Sequence, residues 1–195
     1  MLMVGEREAV VEAELVGGGL ACPRCGGGLR PWGRARQRFL RCAGGGLVLR
    51  RPRRARCRGC AVTHVLLPDL CLLRRRDEVA VIGAAIEAKA AGRGHRPIAA
   101  SLGLHPSTVR GWLRCFVRGA EAIRAHFTRW AYALDPQLGP VEPGGGGVGD
   151  ALEAIGLAAR AFRLRLGRRP LWPLASALSG GLLLCNTSCP FPAVP

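Results

Sequence analysis

Between Cys22 and Cys60 the chain has no acidic residue, although it carries twelve arginines there. Lysine is almost missing altogether: Lys89 is the single one, so 28 of the 29 basic residues are arginine. Only 13 acids oppose them, which leaves a formal net charge of +16 on 195 residues. An excess of this size points to a polyanionic partner, most simply nucleic acid. Aromatic residues are also scarce, at 5%, so the 49% hydrophobic content rests mainly on Ala, Leu and Val. That content still exceeds what a disordered chain carries. The length suits one large domain or two small ones.

Long apolar runs are absent too. The longest, Leu171 to Leu184, is interrupted by Pro173, Gly180 and Gly181 and is too short to span a bilayer. Glu6, Glu8, Glu12 and Glu14 occupy positions that a signal peptide would need to be hydrophobic. The expectation is a cytoplasmic, nucleoid-associated protein without membrane contact. In that compartment nine cysteines read as metal ligands and free thiols, not as a disulfide framework.

The charge is unevenly distributed: −3 over residues 1–21, +12 over 22–60, +6 over 61–129 and +1 over 130–195. The punctuation divides the chain in a similar way. An acidic leader (1–21) ends in three glycines. A cysteine region (22–68) closes at Pro68, and a helical region (74–134) follows. A Pro/Gly linker (135–149) then precedes a neutral C-terminal part (150–195) of apolar helices and a loose tail.

Cys22-Pro-Arg-Cys25 and Cys57-Arg-Gly-Cys60 are two C-x-x-C pairs. Each such turn lets two thiolates converge on one ion, and two turns complete a tetrahedral structural Zn²⁺ site. The long spacer reads as a β-hairpin, with strands Arg36–Arg41 and Leu47–Arg51 and a turn at 43–46. Its ends return together, so one joint site is feasible, and Thr63–Leu67 reads as a closing strand. Four cysteines complete the ligand set, so His64 is a reserve ligand only. Cys42 reads as a free thiol, and Cys71 and Cys115 as small core residues. Strand alternation would place Arg34, Arg36 and Arg38 on one face. With Arg53 and Arg54 they are the candidate phosphate contacts of the arm.

The order C-P-R-C-G, a basic segment from Trp32-Gly33, L-V-L-R, R-R-A-R-C-R-G-C and T-H-V-L-L-P over residues 22–68 is similar to the N-terminal zinc ribbon of some bacterial transposases. Further on, R-P-I-A-A-S-L-G-L-H-P-S-T-V-R-G-W-L-R-C-F (96–116) resembles a trihelical helix-turn-helix. Ala99, Gly103 and Val109 fit its small, glycine and β-branched positions. Ile98, Leu102, Leu104, Val109 and Trp112 fit its packing positions. The resemblance narrows the polyanion to double-stranded DNA and implies a second helix lying in its major groove. His105, Ser107, Thr108, Arg110 and Arg114 would then face DNA. Together the two modules resemble bacterial transposon-associated proteins.

Apolar residues from Val109 to Leu134 follow a four-three spacing. The seam offers either a homodimer interface or the packing face of a long fourth helix. Gly111 and Gly119 weaken a continuous helix and favour packing within the domain. In the C-terminal part, Asp150-x-x-Glu153 reads as a capping box, with Leu152, Ile155, Ala159, Phe162 and Leu166 on one face. Only Asp135, Glu142, Asp150 and Glu153 follow residue 129. These acids and 66 residues cannot form a transposase catalytic domain. The fold expectation is mainly α with a small β zinc ribbon, a helix-turn-helix and a C-terminal helical segment. The functional expectation is a non-enzymatic DNA-binding protein, a transposition accessory factor or a transcriptional regulator. The alternative is a recruitment scaffold that binds a recombinase or polymerase through the C-terminal helices.

Overall fold

The structure is a computed structural model that describes residues 1–142, 144–185 and 191–194. The N-terminal part is built on β1 (Leu2–Val4), α1 (Glu8–Val16), β2 (Leu29–Arg34), β5 (Arg53–Cys57) and β6 (Thr63–Pro68). The strands form one sheet in the order β1-β6-β5-β2, with β1 parallel to β6 and the other pairs antiparallel. A separate hairpin joins β3 (Arg38–Arg41) and β4 (Leu47–Arg50). The hairpin expected at 36–51 is therefore present as β3 and β4, and the arm carries a further ladder, β2 with β5, between it and the cysteines. Pro52 and the break at residues 35–37 separate the two ladders. The acidic leader is integral to the sheet: β1 pairs with β6, and α1 buries Val11 and Leu15 with Leu29, Ala55 and Leu66.

A short connector ties this part to the helices. Arg41 N–H donates to the Arg76 carbonyl and Glu78 N–H donates to the Arg41 carbonyl, extending β3 into residues 76–78. Leu40, Leu67, Leu70 and Cys71 form a small core beneath the hairpin. The buried Asp69 pairs with Arg169, and the buried Asp77 pairs with Arg41.

The remaining helices are α2 (Val79–Ala90), α3 (His95–Ser101), α4 (Pro106–Leu134), α5 (Gly147–Leu166) and α6 (Leu171–Leu178). Gly103, at φ +63°, reverses the chain between α3 and α4. Pro106 opens α4, and the His105 ring caps it by accepting from Ser107 N–H at 3.3 Å. Despite Gly111 and Gly119, α4 is continuous over 29 residues. Each glycine costs about 1 kcal/mol relative to alanine. Burying each large side chain such as Phe116, Ile123 or Phe127 returns about 1.5–3 kcal/mol. The seam is covered inside the chain, and its residues join one core with α2, α3 and α5.

The C-terminal part departs from expectation. Gly147 lies beside Ala120, and Arg165 reaches the Ala133 carbonyl, so α5 runs parallel to α4. The linker is therefore a return segment that ends at Gly146. Asp150 does not start the helix. It lies one turn inside, where its carboxylate accepts from Gly144 N–H at 2.9 Å. The buried face is Ala151, Ala154, Ile155, Ala158 and Ala161, while Phe162 is half-buried and Leu166 exposed. Close helix approach favours alanine there over the larger residues that hydropathy singles out. The buried His126 donates to the Leu178 carbonyl at 2.9 Å and stacks on Phe191. Phe191 is thus docked and not part of a loose tail. Cys189 lies outside the described residues.

Gly83 is the tightest point. A Cβ there would fall 2.0 Å from the Trp172 indole, whose Nε1 donates to Glu87 at 2.8 Å. Gly83→Ala is expected to destabilise by about 3 kcal/mol, the upper part of the range for overpacking. Gly156→Ala, where a Cβ meets nothing, should gain about 0.5–1 kcal/mol. Denaturant unfolding of both variants checks the pair.

Candidate metal centre and basic surfaces

Two tight turns bring four cysteines together. The first turn closes by Gly26 N–H to the Cys22 carbonyl, with Gly26 at φ +73°. The second sits at the end of β5, where Cys57 N–H donates to Val62. The sulfurs of Cys22, Cys25, Cys57 and Cys60 all lie within 4.8 Å of one another. Cys25 and Cys57 are 3.5 Å apart, and Cys22 and Cys60 are 3.7 Å apart. A tetrahedral ion with metal–sulfur bonds of about 2.3 Å requires sulfur separations near ~3.8 Å. Amide N–H groups point at the sulfurs: Arg24 at Cys22 (3.4 Å), and Gly59 and Cys60 at Cys57 (3.3 and 3.4 Å). A Cβ on Gly27 would approach Cys57 Sγ to 3.2 Å and Cys25 Sγ to 3.4 Å, so any side chain there would crowd the cluster. The four cysteines picked out by the C-x-x-C spacing could hold a metal ion such as zinc.

The protonation pattern fits that role. The Cys60 N–H and further donors, opposed by burial, lower Cys57 to about 6. Cys60 gains from the Val62 N–H, but burial and the neighbouring sulfurs raise it to about 11. At neutral pH an incoming cation must therefore displace the Cys60 proton. His64 lies outside the four-cysteine group. It is buried, with Nε2 at 3.3 Å from Cys22 Sγ, a position from which it could orient that sulfur. Burial raises the Cys42 thiol, which lies away from the cluster, and Cys71 is a buried core thiol.

The candidate arginines do not share one face. Arg34 pairs with Glu8 at 2.6 Å. Arg53 is held by Glu12 in a two-pronged contact at 2.6 and 2.7 Å. These acids come from α1, which faces the arm in space although it is remote in sequence. Arg36 is exposed in the connection between the ladders. Arg38 lies against the buried Cys71, with Nε and Nη2 shielded from solvent. Arg54 is exposed on the outer face of the sheet, beside Arg56 and Arg30. Arg30 and Arg56 escaped selection from sequence, although strand alternation from Cys57 would have put both outward.

On the helical part, the residues given packing roles behave accordingly. Ile98, Ala99, Leu104, Val109 and Trp112 are buried, and Leu102 packs against the same core. His105 and Ser107 are exposed but tied together at 2.7 Å, and Thr108 is half-buried. Arg110 and Arg114 are exposed and line an open cleft of about 440 Å³ with Lys89, His95 and Arg118. Leu113 and Val117 form its apolar part, and no carboxylate lines it. Spacing along the helix would have added Arg118, whereas Lys89 and His95 arrive only through the packing of α2 and α3.

The profile of a domain of unknown function (DUF6431) matches residues 22–112. That span holds both cysteine turns, both ladders, α2, α3 and the start of α4. No curated protein matches the chain, and no solved structure does. No described helix is long and apolar enough to cross a membrane.

One metal ion per chain is expected, lost in Cys57→Ser and retained in Cys42→Ser, as read by elemental analysis. Its affinity should fall as pH is lowered, because protons and metal compete for the same sulfurs.

Proposed function

We propose that the chain is a non-enzymatic DNA-binding protein whose four-cysteine centre holds a structural Zn²⁺ and whose α3–α4 unit docks as a helix-turn-helix. The observation that carries this reading is the cleft along α4. Arg110, Arg114 and Arg118 recur at intervals of four residues and face Lys89 and His95, with no acid among them. The four cations Lys89, Arg110, Arg114 and Arg118 repel one another in the free protein, and a phosphate backbone would relieve that repulsion. The geometry of α3 and α4 is compatible with entry of α4 into a major groove, where an exposed arginine can contact a guanine edge or a phosphate. In this reading His105, Ser107 and Thr108 serve the start of α4, and Arg110 and Arg114 are the principal contacts.

The ribbon would add phosphate contacts through Arg54 on its outer face and the exposed Arg36 in the connection between the ladders. Arg34 and Arg53 are occupied by Glu8 and Glu12. Such a protein would serve as a transposition accessory factor or a transcriptional regulator. A recruitment role through the C-terminal helices has less support: the alanine face of α5 and Trp172 and Leu174 of α6 are buried within the chain.

Binding to duplex DNA, followed by anisotropy between about 50 and 200 mM salt, tests the reading. Engagement of the four cations gives a slope of log Kobs against log salt of roughly −3 to −4. Arg110→Ala with Arg114→Ala should lower the slope by about 2 and weaken binding at least tenfold. A flat salt response, or a double variant that binds as tightly as the parent, would refute it.

A further inference from the structure

We propose that the outer face of the ribbon sheet is a binding platform for an unpaired polynucleotide strand, centred on Trp32. This inference extends the reading that the ribbon contacts nucleic acid, but it rests on residues separate from the α4 cleft.

Trp32 lies on β2, the edge strand of the sheet, within a register irregularity between Pro31 and Arg34. Gly33, at φ +97°, makes the backbone excursion. A bulge of this kind re-aims a side chain. The ring is 45% exposed, an unusual setting for a residue whose burial would be worth several kcal/mol. The Arg30 and Arg56 guanidinium groups lie 5.4 and 4.6 Å from its centroid. These two arginines are directly opposed across β2 and β5. Arg56 is steadied by donating through Nε to the Ala61 carbonyl at 3.1 Å.

The cleft beside this ring has a volume of about 490 Å³ and is lined by Arg30, Arg56, Arg58, Cys57 and Ala61. Among the described residues, neither Arg30, Arg56 nor Arg58 forms a salt bridge, while Arg34 and Arg53 nearby do. The free cations are thus gathered on the face that carries the exposed indole. Paired duplex bases offer no face to such a ring. An unpaired strand offers both a base to stack and phosphates for the arginines, and this combination recurs in proteins that bind single strands. Cys57 ends β5 next to Arg56 and is itself buried, so a metal held there would fix the strand end that presents Arg56 and the turn that carries Arg58.

The test uses the full-length, metal-loaded chain with oligo(dT) and oligo(rU) as probes. Both should bind and shield Trp32 from acrylamide. It is the most exposed of the four tryptophans, since Trp112 and Trp172 are buried and Trp130 is partly buried; the Trp32→Ala chain supplies the background from Trp130. Whichever oligomer binds tighter identifies the source as DNA or RNA. Trp32→Ala should weaken oligomer binding about tenfold or more. Duplex affinity and metal content should stay unchanged, and Trp32→Phe should retain most of the affinity while losing the shielded emission. Arg110→Ala with Arg114→Ala should weaken duplex binding at least tenfold and spare oligo(dT). Failure of the duplex reading therefore shows separately, as oligo(dT) binding without duplex binding. Absence of tryptophan shielding in the parent chain, or equal oligomer affinity in parent and Trp32→Ala, overturns the platform.

Discussion

Four sulfurs confined within 4.8 Å set the terms for the whole N-terminal part. At an effective dielectric of 20, two thiolates at that distance repel by about 3–4 kcal/mol. Six such pairs would oppose folding by roughly 20 kcal/mol. The core around them is small: Val11, Leu15, Leu29, Ala55 and Leu66, with Cys22 and Cys57 themselves. Its larger side chains contribute about 1.5–3 kcal/mol each, which does not cover that repulsion. Either protons or a cation must neutralise the cluster. Without a cation, protons must take that part, and Cys60, raised by burial and the neighbouring sulfurs despite the Val62 N–H, is the thiol that keeps its proton most readily. A divalent cation reverses the balance, and its binding energy becomes folding energy for the strands it joins.

The arginines face a milder form of the same problem, and α1 resolves half of it. Glu8 and Glu12 reach Arg34 and Arg53 on one side of the sheet. An exposed pair such as Glu8–Arg34 is worth at most about 1 kcal/mol. The two-pronged Glu12–Arg53 contact, half-sheltered, is the stronger of the two. The consequence is one of distribution more than stability. One side of the ribbon is neutralised by its own chain, and the other keeps Arg30, Arg54, Arg56 and Arg58 without carboxylate partners. A uniformly basic segment thereby acquires a directed surface.

Local rules made much of this legible in the sequence. The C-x-x-C turns, the β3–β4 hairpin, Pro106 at the head of α4 and the glycine turn at Gly103 all depend on residues within a few positions of one another. Features that depend on distant segments were not legible. Glu12 and Arg53 are 41 residues apart, so the acidic leader looked separate from the arm that it neutralises. The alanine face of α5 carries little hydropathy, and only the approach of α4 explains why small side chains are buried there. Gly111 and Gly119 suggested a break that tertiary burial overrides. Trp32 passed unnoticed because nothing local marks an exposed ring as different from a buried one.

The junction between the two parts shows how their relative placement is fixed. Asp69 and Asp77 are both buried, and burial raises both carboxyls despite the adjacent Arg169 and Arg41. Buried charge pairs of this kind add little net stability, but losing either partner leaves an uncompensated charge. They penalise a displaced junction more than they reward a correct one. Backbone hydrogen bonds from Arg41 to residues 76 and 78 act in the same direction, since a shift would leave them unmade. The ribbon and the helices are thus held in register by the cost of misalignment. On the proposed reading, that constraint sets the spacing between the α4 cleft and the Trp32 face. Nucleic acid engaging both would meet a duplex site and an unpaired-strand site at a fixed separation, as at a junction between the two.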